Sequence, residues 1–318
     1  MAVRQPTAKQ ETASQQALRP ARAAFPLPRR TIVPDRLLPY GMIGPAVFVA
    51  FAIAIVPLCY AFWLSLQDWY MLRRPTPVWG GLINYRQLLN DGPLWAAFGR
   101  TWIWTIGTVF VELALAMPIA LLLNRESAVA RAASALILLP WVTPFIVLGF
   151  GWRFLLDSDV GPIHFFLHAI SIAGDSSVLN DPVLAFATII FISGWKGTPF
   201  LVIALLAALK SIPEELYEAA EVDGAGPWSR FWHVTVPEIQ NTVVTVGLVL
   251  GILAFYSFDL PWIMLKGGPQ DATTIVGIAM YKAVFLDLRP AYAAAISIVM
   301  LVLLFIASMF ALRARRAD

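Results

Sequence analysis

"EAAEVDGAGPWSRFWHVTVPE" (residues 218–238) is an acid-rich stretch punctuated by glycine and proline, set between two of the most apolar runs in the chain. The run before it, 183–209, carries only Lys196 as a charge, and the run after it, 239–265, carries only Asp259. Each is longer than the roughly 20 residues a helix needs to cross a hydrocarbon core. Four more runs of the same kind follow outward: 41–66, 132–152 and 291–312 without a charge, and 101–123 with Glu112 alone. Membrane barrel strands would alternate apolar and polar residues, whereas these runs are continuously apolar. With 59% hydrophobic and 14% charged residues, the chain reads as an all-α polytopic membrane protein of six transmembrane helices.

Lys and Arg near a span resist translocation and so set its orientation. Arg4, Lys9, Arg19, Arg22, Arg29, Arg30 and Arg36 precede the first span, and Arg313, Arg315 and Arg316 follow the last. Both termini are therefore expected in the cytoplasm, which an even number of spans also requires. The same topology puts 210–238 and the turn 124–131 on the cytoplasmic side and leaves 67–100, 153–182 and 266–290 outside. Residues 1–36, rich in Ala, Gln, Arg and Pro, are expected to be a disordered tail, 37–312 the transmembrane domain, and 313–318 a basic tail. The first apolar run begins too late and is too long for a cleaved signal, so it is an uncleaved span. Cys59 is the lone cysteine, which excludes an intrachain disulfide. The net charge of +3 comes mostly from the tail and is an orientation signal, with no basic-aromatic run for nucleic acid.

No phosphate-binding GxxxxGK[ST] loop and no cluster of metal ligands is present in the sequence; His164 and His168 are four apart but lack a third ligand nearby. No catalytic residue and no metal site are expected, so any energy must come from another chain. Within 210–238, Ser211 is a candidate cap, Pro213 fits a first turn, and Glu214 and Glu215 suit the positive end of a helix dipole. A short helix to about Val222, a bend at Asp223-Gly224, a second short piece from Pro227 and a fifth span starting at Pro237 are predicted. A helix lying on lipid usually shows Lys and Arg; this one shows acids, which favours a protein partner over a lipid surface.

The residues of this stretch resemble the EAA signature of ATP-binding-cassette importer permeases. Glu218, Ala219, Ala220, Asp223, Gly224, Ala225, Phe231 and Pro237 stand in the order of that signature, with Val236 where leucine is usual. Residues 194–220 and 265–301 further resemble the sugar-importer branch that includes the maltose permeases. The resemblance implies a permease subunit of type I architecture that pairs with a second, homologous permease. It also implies two copies of a cytoplasmic ABC ATPase that use ATP and Mg, no cofactor on this chain, and an extracytoplasmic solute-binding protein that delivers a sugar or glycoside. The EAA stretch would be the coupling helix docked on the ATPase, in a bacterial inner membrane.

Carried over by the same resemblance, the substrate site comprises Ser193, Lys196, Gly197 and Phe200 in the fourth span and Phe255, Tyr256 and Asp259 in the fifth. Gly194, Gly197 and Pro199 are expected to interrupt the fourth helix, as broken helices at membrane depth do where they line a cavity. Ionisable residues at such depth are functional candidates. Lys196 and Asp259 either contact substrate or pair with each other or with the partner permease, and the sequence leaves both open. Glu112 is expected to make a helix-packing hydrogen bond. An ion-coupled secondary carrier is the rival reading; it calls for internal repeats and midplane charges, which the sequence does not display.

Overall fold

The computed structural model describes residues 38–125, 135–172 and 174–317, so the tail 1–36 and most of the turn 124–131 lie outside the described residues. The chain divides into two compact units, residues 1–56 and 57–318. Among its described residues the first unit holds only the start of α1 (Leu38–Ser65), an uninterrupted apolar helix.

The second unit carries the remaining spans. A two-stranded antiparallel hairpin, β1 (Gln67–Asp68) with β2 (Val78–Trp79), leads to a short helix, α2 (Ile83–Leu89). Asn84 in α2 donates to the carbonyls of Ser65 and Gln67 at 2.9 and 2.7 Å, which ties this helix to the end of α1. Next comes α3 (Gly92–Leu123), started by Asp91, whose carboxylate accepts from the Leu94 amide at 3.0 Å. It begins nine residues ahead of the apolar run, because an N-cap and not hydropathy sets where a helix starts.

The third apolar run is not one helix. It is a pair, α4 (Leu139–Val142) and α5 (Phe145–Leu155), bent by 97° at Thr143-Pro144. Thr143 is extended, as the residue before a proline prefers, and Pro144 has no amide to continue the ladder. After α6 (Pro162–Ala169), α7 (Pro182–Lys210) runs without interruption through Gly194, Gly197 and Pro199, so the break expected there does not occur. Those glycines serve close packing instead. A Cβ on Gly194 would lie 2.6 Å from the Val111 side chain of α3, and one on Gly197 would collide with the Glu112 carboxyl. Small residues at a helix contact allow backbones to approach within a membrane, and α3 and α7 form the central pair of the fold.

The fifth span also differs from its expected bounds. α8 (Glu214–Val222) is followed by one continuous helical stretch, Pro227–Phe255, built from α9 (Pro227–Arg230), a π segment at Phe231–Thr235 and α10 (Val236–Phe255). Pro237 does not begin the span; its missing amide is absorbed by the wider π turn just before it. The span stops at Phe255, ten residues short of the apolar run, and α11 (Asp259–Leu265) and α12 (Val276–Phe285) form a separate cap. That cap and the last turn of α10 are fastened to α3 by three long-range bonds. Thr101 Oγ1 accepts from the Val276 amide at 2.9 Å, Arg100 donates to the Thr274 carbonyl at 2.9 Å, and the Trp104 indole donates to the Ala254 carbonyl at 3.1 Å. The Ala254 carbonyl at the end of α10 also accepts from the Ser257 amide at 3.0 Å. The final helix, α13 (Pro290–Ala317), continues past the expected end at 312.

Candidate functional site

The loop after α7 forms as a short helix with both ends defined. Pro213 occupies the N-cap position and Glu214 and Glu215 fill the first turn, but Ser211 does not cap it: its hydroxyl turns back to the Ala208 carbonyl at 2.7 Å. At the other end the Gly224 amide donates to the Glu221 carbonyl at 3.0 Å and the Ala225 amide to the Ala220 carbonyl at 2.9 Å. This pair of bonds is a Schellman cap, with Gly224 at φ +77° as its left-handed residue. A side chain there meets no neighbour within 4 Å; the cost comes from the backbone, about 1 kcal/mol.

Two contacts that the sequence reading missed brace the helix against the start of the fifth span. Tyr217 and Thr235 share a hydrogen bond of 3.0 Å, and Arg230 pairs with Glu221 at 2.8 Å. Glu218, Ala219 and Asp223 lie exposed, Ala220 and Ala225 are half-covered, and Pro237 is exposed. Glu218 has no ion pair among the described residues. Beside it, Val222 and Trp228 are 88% and 73% exposed. The result is a rigid, acidic and partly apolar knob fixed to two spans.

The second cluster lies halfway along α7, about 20 Å from either end at 1.5 Å per residue. Lys196 is 8% exposed, and its ammonium donates to three carbonyls of the broken third span: Pro140 at 3.1 Å, Trp141 at 3.1 Å and Thr143 at 2.8 Å. It also sits over the Phe145 ring at 4.6 Å. An ammonium has three donors, so Lys196 has none left, and the pairing with Asp259 does not form. Thr143 also engages the Leu139 carbonyl, through both its amide at 3.2 Å and its hydroxyl at 2.7 Å. The carbonyls of Leu139, Pro140, Trp141 and Thr143 are thereby paired, which lowers the cost of a helix break at hydrocarbon depth.

Among the other candidates, Ser193 and Gly197 are half-buried and Phe200 is 41% exposed, with its ring 6.4 Å from that of Trp141. Tyr256 is exposed at the end of α10, and Asp259 is exposed in the first turn of α11. Phe255 points away from any opening; it is 1% exposed and packs on Trp102 at 4.9 Å. The structure therefore brings Lys196 and Phe200 together with Trp141, which the sequence reading did not select. The signal available was "TPF" at 143–145, where a pre-proline threonine marks a helix end. The bond expected for Glu112 is missing at Oε2, which is buried without a partner, as are the hydroxyls of Thr105 and Thr108 on the same face of α3. Among the described residues no three His, Cys, Asp or Glu side chains are placed to hold a metal.

Five helices long and apolar enough to span, a sixth in two pieces, and a polar knob at the foot of two of them define a multi-pass membrane protein. Residues 92–317 match the family described as binding-protein-dependent transport system inner membrane component, and the chain belongs to it. The chain is 32% identical to the trehalose/maltose transport system permease protein of Thermococcus litoralis over 77% of this chain and 82% of that one. It is 30% identical to the sulfoquinovosyl glycerol transport system permease protein of Agrobacterium fabrum, over 85% and 87%. A similar fold is seen in the crystal structure of a bacterial ABC transporter involved in the import of the acidic polysaccharide alginate, with a TM-score of 0.66, 22% identity and coverage of 87% of this chain and 95% of that chain. The protein is thus the permease component of an ATP-driven, binding-protein-dependent importer. ATP hydrolysis belongs to a separate subunit, and nothing supports an ion-coupled carrier.

Proposed function

We propose that this permease carries a sugar or related glycoside, received from an extracytoplasmic solute-binding protein, across a bacterial inner membrane. It pairs with a second, homologous permease, and two copies of a cytoplasmic ABC ATPase that use ATP and Mg drive the pair, with both termini of this chain in the cytoplasm. This chain itself binds no cofactor. The substrates for which its relatives are named, trehalose/maltose and sulfoquinovosyl glycerol, support the carbohydrate class.

The observation that carries the mechanism is the exposed knob at 214–225, braced through Tyr217 and Arg230 to the fifth span and continuous with the fourth. A pull on that knob is delivered to two spans at once. Glu218 supplies a charge for a basic group in a groove of the ATPase, Ala219 and Ala220 permit close approach, and Gly224 sets the turn. Closure of the ATPases then rocks the spans between inward and outward access.

Gly224→Asp and Glu218→Lys are each expected to abolish uptake of labelled trehalose or maltose by cells expressing the complete importer, while immunoblots show the wild-type amount in the membrane. Normal uptake by both variants would sink the coupling role.

A further inference from the structure

The end of α7 remote from the knob borders a cavity of about 500 Å³. Its walls are the end of α5, one side of α6 and the first three turns of α7. The floor is core, with Leu156, Val178 and Ile192 buried, whereas the rim is open: Phe166, Ile172 and Phe191 are 63%, 53% and 47% exposed. Of the lining residues only Trp152 and Thr188 carry a polar side-chain group, and the Trp152 ring is held edge-on against Trp195 at 5.6 Å. A cavity of this composition stays dry and takes an apolar guest.

Its place decides which guest. Leu184 to Ile192 lie within about 15 Å of the start of α7 at 1.5 Å per residue, inside one leaflet of a hydrocarbon core some 30 Å thick. α6, which closes the cavity, leaves Phe165 and Phe166 exposed, and Ile170 just beyond it is exposed too. Large apolar side chains bared along a short helix at a membrane surface belong in lipid. Faces that pack on another membrane helix are rich in small residues, as α7 is at Gly194 and Gly197. Ala187 is the only small side chain in this lining.

The charges around the rim are acidic. Asp181, whose carboxylate caps α7, stands one turn ahead of Leu184, and Asp175 lies between Ile172 and Val178; both are exposed. His168 pairs with Asp175 at 3.4 Å. The basic residues of this end, Arg153 and Lys266, line a separate polar pocket with Asp157 and Ser177. Such a rim attracts an ammonium and repels an anionic headgroup.

We infer that this cavity is a lipid site, which seats an acyl chain of the leaflet remote from the knob and prefers a phospholipid whose headgroup carries an ammonium, as in phosphatidylethanolamine. The chain fills the space between α6 and the two spans, so α6 is held through lipid as well as through protein. The site uses neither the cargo nor the coupling role and stands or falls apart from them.

The test irradiates the complete importer, second permease and ATPases included, in nanodiscs whose phosphatidylethanolamine or phosphatidylglycerol bears the same diazirine-containing acyl chain. Adducts mapped by peptide mass spectrometry are expected on Trp152, Ile163 and Leu184, roughly threefold more with phosphatidylethanolamine, the size of an exposed ion pair. Asp181→Asn, which keeps the helix cap, combined with Asp175→Asn should make the two lipids equal. Thr188→Trp, or the milder Ala187→Leu, fills the cavity and should remove these adducts while those on α1 stay at the wild-type level.

Adducts on α1 with none on Trp152, Ile163 or Leu184 in either lipid overturn the inference and assign the cavity to the second permease. Adducts that survive both filling variants overturn the cavity as their seat. Equal yields from the two lipids in the wild type overturn the headgroup preference.

Discussion

The third and fourth spans contain the same three residues, Thr143-Pro144-Phe145 and Thr198-Pro199-Phe200, and fold them in opposite ways. In the first the helix breaks and turns by 97°; in the second it runs on. The local hydrogen bonding does not distinguish them. Thr143 Oγ1 donates to the Leu139 carbonyl at 2.7 Å and Thr198 Oγ1 to the Gly194 carbonyl at 2.8 Å, each four residues back. What differs is the surroundings. Thr198 and Pro199 are buried where Gly194 and Gly197 press α7 onto α3, so leaving the helix would cost that packing. Pro144 is exposed, and the carbonyls its break releases are collected by Lys196. Proline at membrane depth thus breaks a helix where an acceptor-hungry cation waits and is tolerated where the neighbouring backbone is too close to let go.

The strongest way to break this contrast is to remove the close approach. Gly197→Leu drives a side chain into Glu112 and should cost about 3 kcal/mol, the upper range for overpacking, so the protein should fail to accumulate in the membrane. Wild-type abundance and melting temperature in this variant would show that α3 does not hold the second "TPF" helical.

A smaller and paired effect is expected from the threonines. Thr198→Val should lower stability by about 1 kcal/mol, the net size of one such bond, because Thr198 is buried and water cannot replace its hydroxyl. Thr143→Val should cost less, since Thr143 is only half-buried beside the exposed Pro144. Thermal melting in detergent checks both, and equal losses would mean that surroundings do not set the difference.

The smallest effect is expected where a lysine works in water instead of in a span. Lys282 donates to Asp271 at 2.6 Å, but the Asp271 side chain is 70% exposed. The hydrogen bond from Lys282, and then that from Thr274, hold the Asp271 carboxyl below its ordinary value. Its stabilising effect is therefore present above the ordinary value near 4 and is lost as pH falls through the lower folded value. Asp271→Asn should leave the melting temperature unchanged at pH 7, as exposed pairs contribute little, and amide exchange at 267–274 should quicken only in strong acid. A drop in melting temperature like that of Thr198→Val would overturn this ranking.

Much of the architecture was legible from the chain alone because membrane depth imposes long apolar runs that no other class of fold requires. The loop was legible too, since Pro213, the paired acids and Gly224 are local signals that act within one turn. Span ends were read less well. Asp91 begins α3 ahead of the apolar run, and α10 stops at Phe255 although apolar residues continue to Leu265. A cap or a break sets those ends, and hydropathy is blind to both. Of the candidate substrate residues, Lys196 and Phe200 meet around Trp141, while Phe255 packs on Trp102. Lys196 was singled out by its charge, yet its three acceptors are backbone atoms 53 to 56 residues away, which no side-chain pattern announces.

The sequence by itself determined that the chain spans a membrane and where the loop at 214–225 bends. Each follows from composition or from bonds within a single turn. Only the tertiary structure decided which of two identical tripeptides breaks its helix, what Lys196 touches, and that Phe255 is core while Trp141 is exposed. The physical reason is that a proline leaves one carbonyl unpaired in either span, and the cost of freeing the rest depends on whether another part of the chain can accept or supply the missing bonds.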